Sequence, residues 1–252
     1  MSRTIDLNAD LGEGGAFDAE IILLVSSINL ACGGHAGDAC TMARAEALAR
    51  SHGVAIGAHP SFVDRAHFGR QPLAVHPSVL RRQLREQLEA LRALTRFTHV
   101  KPHGALYNLA ARDATMARLV VDVVREFDAR LSLVALAGSL LVTRARSAGL
   151  NAVEEIFADR GYAPDGSLLP RGVPGGLIDD PAVAASQVVS AVVDGRLRDC
   201  DGAWINVRAD TVCIHGDGRE AIALLRAIRQ ALHEAGVTVQ AFSTQGSGRG
   251  ER

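Results

Sequence analysis

The chain has 252 residues, 48% of them hydrophobic and 22% charged, with 27 Lys and Arg against 28 Asp and Glu. That is the balance of an ordinary globular protein, long enough to bury a substantial core. A formal net charge of −1 with scattered basic residues argues against a nucleic-acid partner, and no stretch approaches the ~18 consecutive apolar residues of a membrane span.

The predicted elements alternate strand and helix. Thr4 to Ala9 reads as a first strand and Ser27 to Ala31 as a second. Thr41 to His52 reads as a helix closed by Gly53, with Val54 to Ala58 as a third strand. Pro77 suits the first position of a helix whose Leu80, Leu84, Leu88, Leu91 and Leu94 make one apolar face. His99 to Lys101 is a short fourth strand, and Asp113 caps a helix running to Phe127. Leu131 to Leu136 is a fifth strand, Leu140 to Ala148 a helix, and Ala152 to Ala158 a sixth strand. A Gly/Pro-rich loop from Asp159 to Gly176, expected to be mobile, leads to helices over Pro181 to Asp194 and Arg219 to Ala235. Three further strand candidates, Ala203 to Val207, Thr211 to Ile214 and Val237 to Ala241, compete for places in the main sheet.

Repeated strand-then-helix units imply parallel strands, in a closed (β/α) barrel of seven or eight units or an open doubly wound sheet. Polar clusters follow six strands: Asn8 and Asp10, Asn29 to Asp38, His59 to Arg70, Lys101 to Asn108, Asp159 to Arg171, and His215 to Asp217. A barrel gathers all its strand ends at one mouth, whereas an open sheet gathers ligands only where strand order reverses. The barrel is therefore the expected fold, as one domain over residues 1–242, with residues 243–252 a Gly/Ser/Arg-rich tail expected to be disordered.

Alternation puts Asp6, Asn8 and Asp10 on one side of the first strand. Asp10 at its end either lines the mouth or caps the next turn. Glycines around His35 permit a ligand to approach backbone N–H groups, or simply make a tight turn capped by Asp38. His35, His59 and His103 each follow a strand, and Lys101 shares a face with His103 if the fourth strand continues. A neutral His and a Lys in one partly dry pocket can act as acid, base or oxyanion stabiliser. Asp159-Arg160 is either a catalytic pair or an ion pair holding the long loop, and His215 again closes a strand. His52, His67, His76, His99 and His233 read as surface or structural. Asp10, His59, His103 and His215 are candidate ligands for a divalent metal, although no HxxH spacing fixes two of them locally. No GxSxG elbow and no phosphate-binding glycine loop is present.

Asp6 and Asp10 stand where a secretory signal would need an apolar run. Cys32, Cys40, Cys200 and Cys213 form no CxxC pair. Free thiols in a cytoplasmic protein are the expectation.

The blocks "IDLNADLGE", "NLACGGHAGD", "GVAIGAHPSFVD", "FGR", "VKPHGALYN", "FADRGYAPDGSLLPR" and "CIHGD" together resemble the LamB/YcsF family, the 5-oxoprolinase A subunits, from about Ile5 to about Val239. The resemblance implies a barrel similar to glycoside hydrolase/deacetylase barrels. It also implies ATP-coupled cleavage of 5-oxoproline to L-glutamate, with ATP as co-substrate and B and C subunits as partners. Carried onto this chain, the implied catalytic residues are Asp10, Lys101, His103, Asp159 and Arg160. Asn8, Glu13, Asn29, His35, His59, Tyr107 and His215 are the implied substrate-binding residues. Asp10 or His103 is the expected base, and Lys101 with Arg160 the expected cations at the oxyanion; loss of Lys101 is expected to leave the fold intact. Gly34 stands where a Phe is common in the family, Ala39 where Pro is, and Ser61 and Val63 where Gly and Pro are. The segment from Gly14 to Leu24 looks shorter than usual. Two other readings stay open: a stand-alone metal-dependent deacetylase or amidohydrolase, and a non-catalytic substrate-binding subunit.

Overall fold

The computed structural model describes residues 3–215 and 219–242. Gly216, Asp217 and the tail from Ser243 to Arg252 lie outside the described residues. In chain order the elements are β1 (Arg3–Leu11), α1 (Asp18–Ile22), β2 (Ser27–Ala31), α2 (Ala39–Ser51), β3 (Ala55–His59), α3 (Pro77–Leu94), β4 (His99–Val100), α4 (Gly104–Arg112) and α5 (Ala114–Asp128). There follow β5 (Ser132–Leu136), α6 (Leu140–Ser147), β6 (Ala152–Phe157), α7 (Pro181–Val189), which a π-turn extends to Asp194, β7 (Arg196–Arg198), β8 (Trp204–Asn206), β9 (Thr211–His215), α8 (Arg219–Glu234) and β10 (Val237–Val239).

Seven parallel strands close into a barrel in the order β1-β2-β3-β4-β5-β6-β9, and β9 returns to pair with β1. Of the three competing strand candidates, only Thr211–His215 is a barrel strand. Val237–Val239 pairs with the first residues of β1, below the point where β9 joins it, and Trp204–Asn206 makes an antiparallel hairpin with β7. The hairpin stands outside the closed ring; local alternation cannot distinguish these roles, because pairing partners lie far along the chain.

Strand β1 shows how the sequence encodes two packed faces. Leu7, Ala9 and Leu11 are buried in the hydrophobic core, while Asp6, Asn8 and Asp10 are buried too, and bonded to one another's neighbours. Asn29 donates to Asn8 Oδ1 at 2.8 Å and to Asp10 Oδ1 at 2.9 Å. His99 Nε2 lies 3.1 Å from Asn29 Oδ1, so this histidine is structural and belongs to the barrel interior. The helix faces behave as expected: Leu80, Leu84, Leu88 and Leu91 are buried, and the Asp113 carboxylate accepts from Met116 N at 2.7 Å.

Two helices, α1 and α4, are absent from the sequence reading. The fourth strand ends at Val100, and Gly104–Arg112 is helical, so Tyr107 and Asn108 ride on α4 rather than on a strand or loop. The strand does not continue through His103: residues 101–103 are irregular and Gly104 already begins the helix. Among the described residues no helix is long and apolar enough to cross a membrane. All four cysteines are free thiols; Cys32 and Cys213 are buried, Cys40 and Cys200 exposed.

Candidate active site

The strand ends converge on one cleft of about 610 Å³ that takes in Asp10, His59, Lys101, His103, Tyr107, Arg160, Arg171 and His215. Asp10 of β1 is the register partner of His215 of β9, so the seam that closes the barrel also joins two site residues.

Lys101 is the chain's one lysine among 27 Lys and Arg residues. Its Nζ, almost fully buried, lies 3.0 Å from Asp10 Oδ1, 3.0 Å from Glu155 Oε1 and 3.0 Å from Cys213 Sγ. Three ammonium donors thus have three partners. Burial alone would lower the Lys101 pKa, but the surrounding anions raise it well above the usual value. Burial likewise works to raise Asp10, yet His59 and Lys101 outweigh it and hold the carboxyl well below its usual range. Asp10 is therefore fixed as a carboxylate and is a weak proton acceptor.

Glu155 escaped the sequence reading. It is fully buried and accepts from Tyr107 Oη at 2.8 Å, from Asn8 Nδ2 at 3.0 Å and from Lys101. The signal was available: two adjacent carboxylates, Glu154 and Glu155, interrupt an otherwise apolar strand.

A second group stands beside Asp10. Glu13, His35, His59 and His103 each offer a ligand atom, and these atoms lie within 4.8 Å of one another. His35 Nε2 is 2.8 Å from Glu13 Oε1, and the His35 ring stacks on His103 with centroids 3.6 Å apart. Two backbone carbonyls settle the tautomers. His59 Nδ1 must donate to Lys101 O at 2.7 Å, and His103 Nε2 must donate to Phe68 O at 2.9 Å, because a carbonyl only accepts. The remaining nitrogens, His59 Nε2 and His103 Nδ1, then face each other across 2.9 Å with a lone pair each. That contact closes only if the pair shares an extra proton or a cation takes both lone pairs. Burial lowers His35 to about 4 and, together with the neighbouring imidazoles, holds His103 well below its ordinary range. Neutral rings oriented by carbonyls are the donor state a metal needs. Of the sequence candidates for a metal, His59 and His103 are in this group and Asp10 and His215 are not; Glu13 and His35 complete it. Asp10 sits next to it, with Oδ2 3.2 Å from His59 Nε2.

His215 is committed elsewhere. Its Nδ1 is 2.8 Å from Asp159 Oδ2, and its ring stacks on Phe157. Burial tends to raise Asp159, but His215 beside it more than offsets this and keeps its pKa low. This leaves a carboxylate-oriented imidazole at the cleft wall.

Arg160 is tied to the long loop, donating through Nε to Gly176 O at 2.9 Å and through Nη2 to Leu169 O. It makes no ion pair with Asp159 among the described residues, so the loop is held by the backbone carbonyls it bonds. Bridges Arg160↔Leu177 and Tyr162↔Leu168 brace that loop further, and Tyr162 is fully buried. The Gly/Pro-rich loop is a strap bonded to itself.

The sequence profile described as the LamB/YcsF family matches residues 5–247. The chain belongs to the LamB/YcsF family. Among solved structures, it is similar to one described as a lactam utilization protein from Thermus thermophilus, at 44% identity and a TM-score of 0.88, over 95% of this chain and 100% of that one. It is also similar to a structure described as T48 deacetylase with substrate, at 12% identity and a TM-score of 0.51, over 94% of this chain and 87% of that one. The second likeness concerns the fold alone, and there the expected kinship with deacetylase barrels holds.

Proposed function

We propose that this chain is the A subunit of an ATP-dependent 5-oxoprolinase, which opens the lactam of 5-oxoproline to L-glutamate in company with B and C subunits in the cytoplasm. The observation that carries the reading is the likeness, over nearly the full length of both chains, to a protein described as acting in lactam utilization. The cleft's acid–base equipment suits the chemistry.

A five-membered lactam is a resonance-stabilised amide and a poor electrophile. Transfer of the ATP γ-phosphoryl group to the lactam oxygen releases ADP and activates the ring carbon. Water adds to that carbon, giving its proton to a base; the ring C–N bond breaks as nitrogen takes a proton. A second water releases phosphate and leaves the free carboxylate. The His215–Asp159 dyad fits the base: Nδ1 is held by Asp159, which leaves Nε2 for the water. Asp10, kept ionised by Lys101, fits the stabilisation of positive charge on a neighbouring imidazole rather than proton abstraction. Lys101 acts through Asp10 and Glu155, since its three donors are already engaged.

Glu13, His35, His59 and His103 would hold a divalent ion with nitrogen preference, such as zinc, whose chemistry there is to polarise a carbonyl oxygen or acidify a bound water. This donor set favours a second reading, a metal-dependent amidohydrolase that works alone.

One assay separates the two. Glutamate release from 5-oxoproline is measured with the isolated chain, then with its B and C partners, with and without ATP. The proposal expects activity only in the mixture with ATP. Robust ATP-independent turnover by the isolated, metal-loaded chain would overturn it in favour of the second reading.

A further inference from the structure

Charge in the cleft is out of balance with the rest of the chain. Among the described residues its lining includes five cationic side chains, Lys101, Arg70, Arg112, Arg160 and Arg171, against two carboxylates, Asp10 and Asp165. The chain as a whole has a formal charge of −1. Lys101 and Asp10 neutralise each other on the floor. At the rim Arg112 holds down the pKa of Asp165, after the hydrogen bonds from Ser167. Arg70 lies over the Phe68 ring, 4.9 Å from its centroid. Arg160 and Arg171 remain as neighbouring guanidinium groups. Burial, and next the charge of Arg171, depress Arg160. Arg171 feels the Asp159 carboxylate behind it, yet makes no hydrogen bond or ion pair among the described residues. Among the described residues Asp159 is the one carboxylate that acts on both guanidiniums, and it is already paired with His215, so the two arginines keep an excess of positive charge that an anionic ligand would offset.

The strap that carries them is bonded to itself. A side chain at Gly161 would overlap the carbonyl oxygen of Gly175, so the two arms of the strap pack backbone to backbone. Arg160 also ties both arms, at Gly176 and Leu169, the latter two residues before Arg171. Arg171 thus lines the same cleft as His59, His103 and His215, on a strap whose two arms are bonded to each other.

We propose that Arg171, with Arg160, forms an oxyanion-binding arm of the cleft that anchors an anionic group away from the reacting centre. Two sources share that chemistry: the carboxylate of a carboxylated lactam, which rests on the function proposed above, and a phosphoryl group of a nucleotide, which does not. A guanidinium recognises either through paired N–H donors. The carboxylate anchor would hold the lactam ring in one orientation against the His215 imidazole.

Titration calorimetry on the full chain tests this with 5-oxoproline, with 2-pyrrolidinone (the same ring without its carboxylate) and with inorganic phosphate. Each is measured on the natural chain and on Arg171→Met, a change that removes no hydrogen bond. The expected result is 5-oxoproline affinity at least 10-fold weaker in the variant, with 2-pyrrolidinone unchanged. Phosphate binding that depends on Arg171 while 5-oxoproline does not bind keeps the arm, assigns it to a phosphoryl group and counts against the lactam reading. Equal affinities in both proteins, or no binding of any of the three, overturns the arm. Conversion of 5-oxoproline by the assembled enzyme with unchanged KM in Arg171→Met would overturn the arm while leaving the proposed function standing.

Discussion

Lys101 Nζ and Asp10 Oδ1 lie 3.0 Å apart on the floor of the cleft, with Glu155 Oε1 equally close on the lysine's other side. Removing the ammonium leaves two buried carboxylates facing each other. Lys101→Ala is therefore expected to lose stability by about 3–5 kcal/mol, the scale for breaking a buried pair. The expectation from sequence, that the fold would be untouched, does not survive this burial. Turnover should fall as well, because Asp10 and Glu155 lose the cation that orients them. Urea unfolding and glutamate release in the assembled enzyme check both, and near-normal turnover would take Lys101 out of the mechanism.

The dyad predicts a different signature. Asp159 holds His215 Nδ1 at 2.8 Å, so Asp159→Asn misorients the imidazole without emptying the cleft. The expected result is a fall in kcat of roughly 10²–10⁴ with KM little changed, the range for general-base catalysis. Steady-state kinetics with 5-oxoproline decide it; a change confined to KM would reassign His215 to substrate binding.

Glu13, His35, His59 and His103 predict a measurable ion affinity. Chelator-treated chain should show a higher Tm on addition of zinc, because a ligand that binds only the folded state stabilises it. Glu13→Gln and His103→Ala should each abolish most of that rise. A rise that persists in both variants would place the ion elsewhere.

Asp6 predicts a pH dependence of stability. Burial, only partly offset by hydrogen bonds from Thr211, Ser26 and Ser27, raises it from 3.8 to about 6. A raised folded value favours the protonated form. The stabilising contribution is complete below about pH 4 and is lost as pH rises through about 6, by about 3 kcal/mol for two units. Asp6→Asn cannot titrate and should flatten the stability slope between pH 4 and pH 7. Parallel slopes for the two proteins in urea unfolding would show that Asp6 titrates normally.

Gly34 and Ser61 lie side by side, with Gln87 packed against both. A side chain at Gly34 would overlap Gln87 Oε1 and place its Cβ 2.5 Å from Ser61 Oγ. Gln87 in turn accepts from Ser61 N and donates to Ser61 O, each at 2.9 Å. Gly34→Ala should cost about 1–3 kcal/mol by overpacking. The cost should shrink in a Gln87→Ala background, with a coupling of about 0.5–3 kcal/mol in a double-mutant cycle. Strict additivity would show that the three residues do not compete for one space.

Much of this was legible in residue order. The face shared by Asp6, Asn8 and Asp10, the Asp113 cap and the stripe from Leu80 to Leu91 follow from periodicities of 2 and 3.6, which need no partner to be read. The barrel followed from where polar residues stop each strand. What resisted was everything settled by distant pairing. Glu13 meets His35 across 22 positions, and His59 meets His103 across 44, so no local spacing marks the metal-like group. His215 looked equally suited to that group until Asp159 was seen to hold it. The possible continuation of the fourth strand through His103 hid helix α4; β7 went unread, and β8 read as well as any barrel strand because short alternation looks the same in a hairpin.

The pairing of β1 with β9 bears on the order in which the molecule comes into being. Asp6 and Thr211, bonded across that seam, are 205 positions apart, and Asp10 and His215 follow in the same register. As the chain leaves the ribosome, its first strand must wait with a row of polar side chains facing an unfinished interior until the seventh arrives. Such long-range closure is slow and leaves strand edges open meanwhile. A fragment ending before Thr211 lacks the strand that closes the ring and carries His215, so a truncated chain is expected to have no residual chemistry, and the unclosed first strand is the element most in need of protection during synthesis.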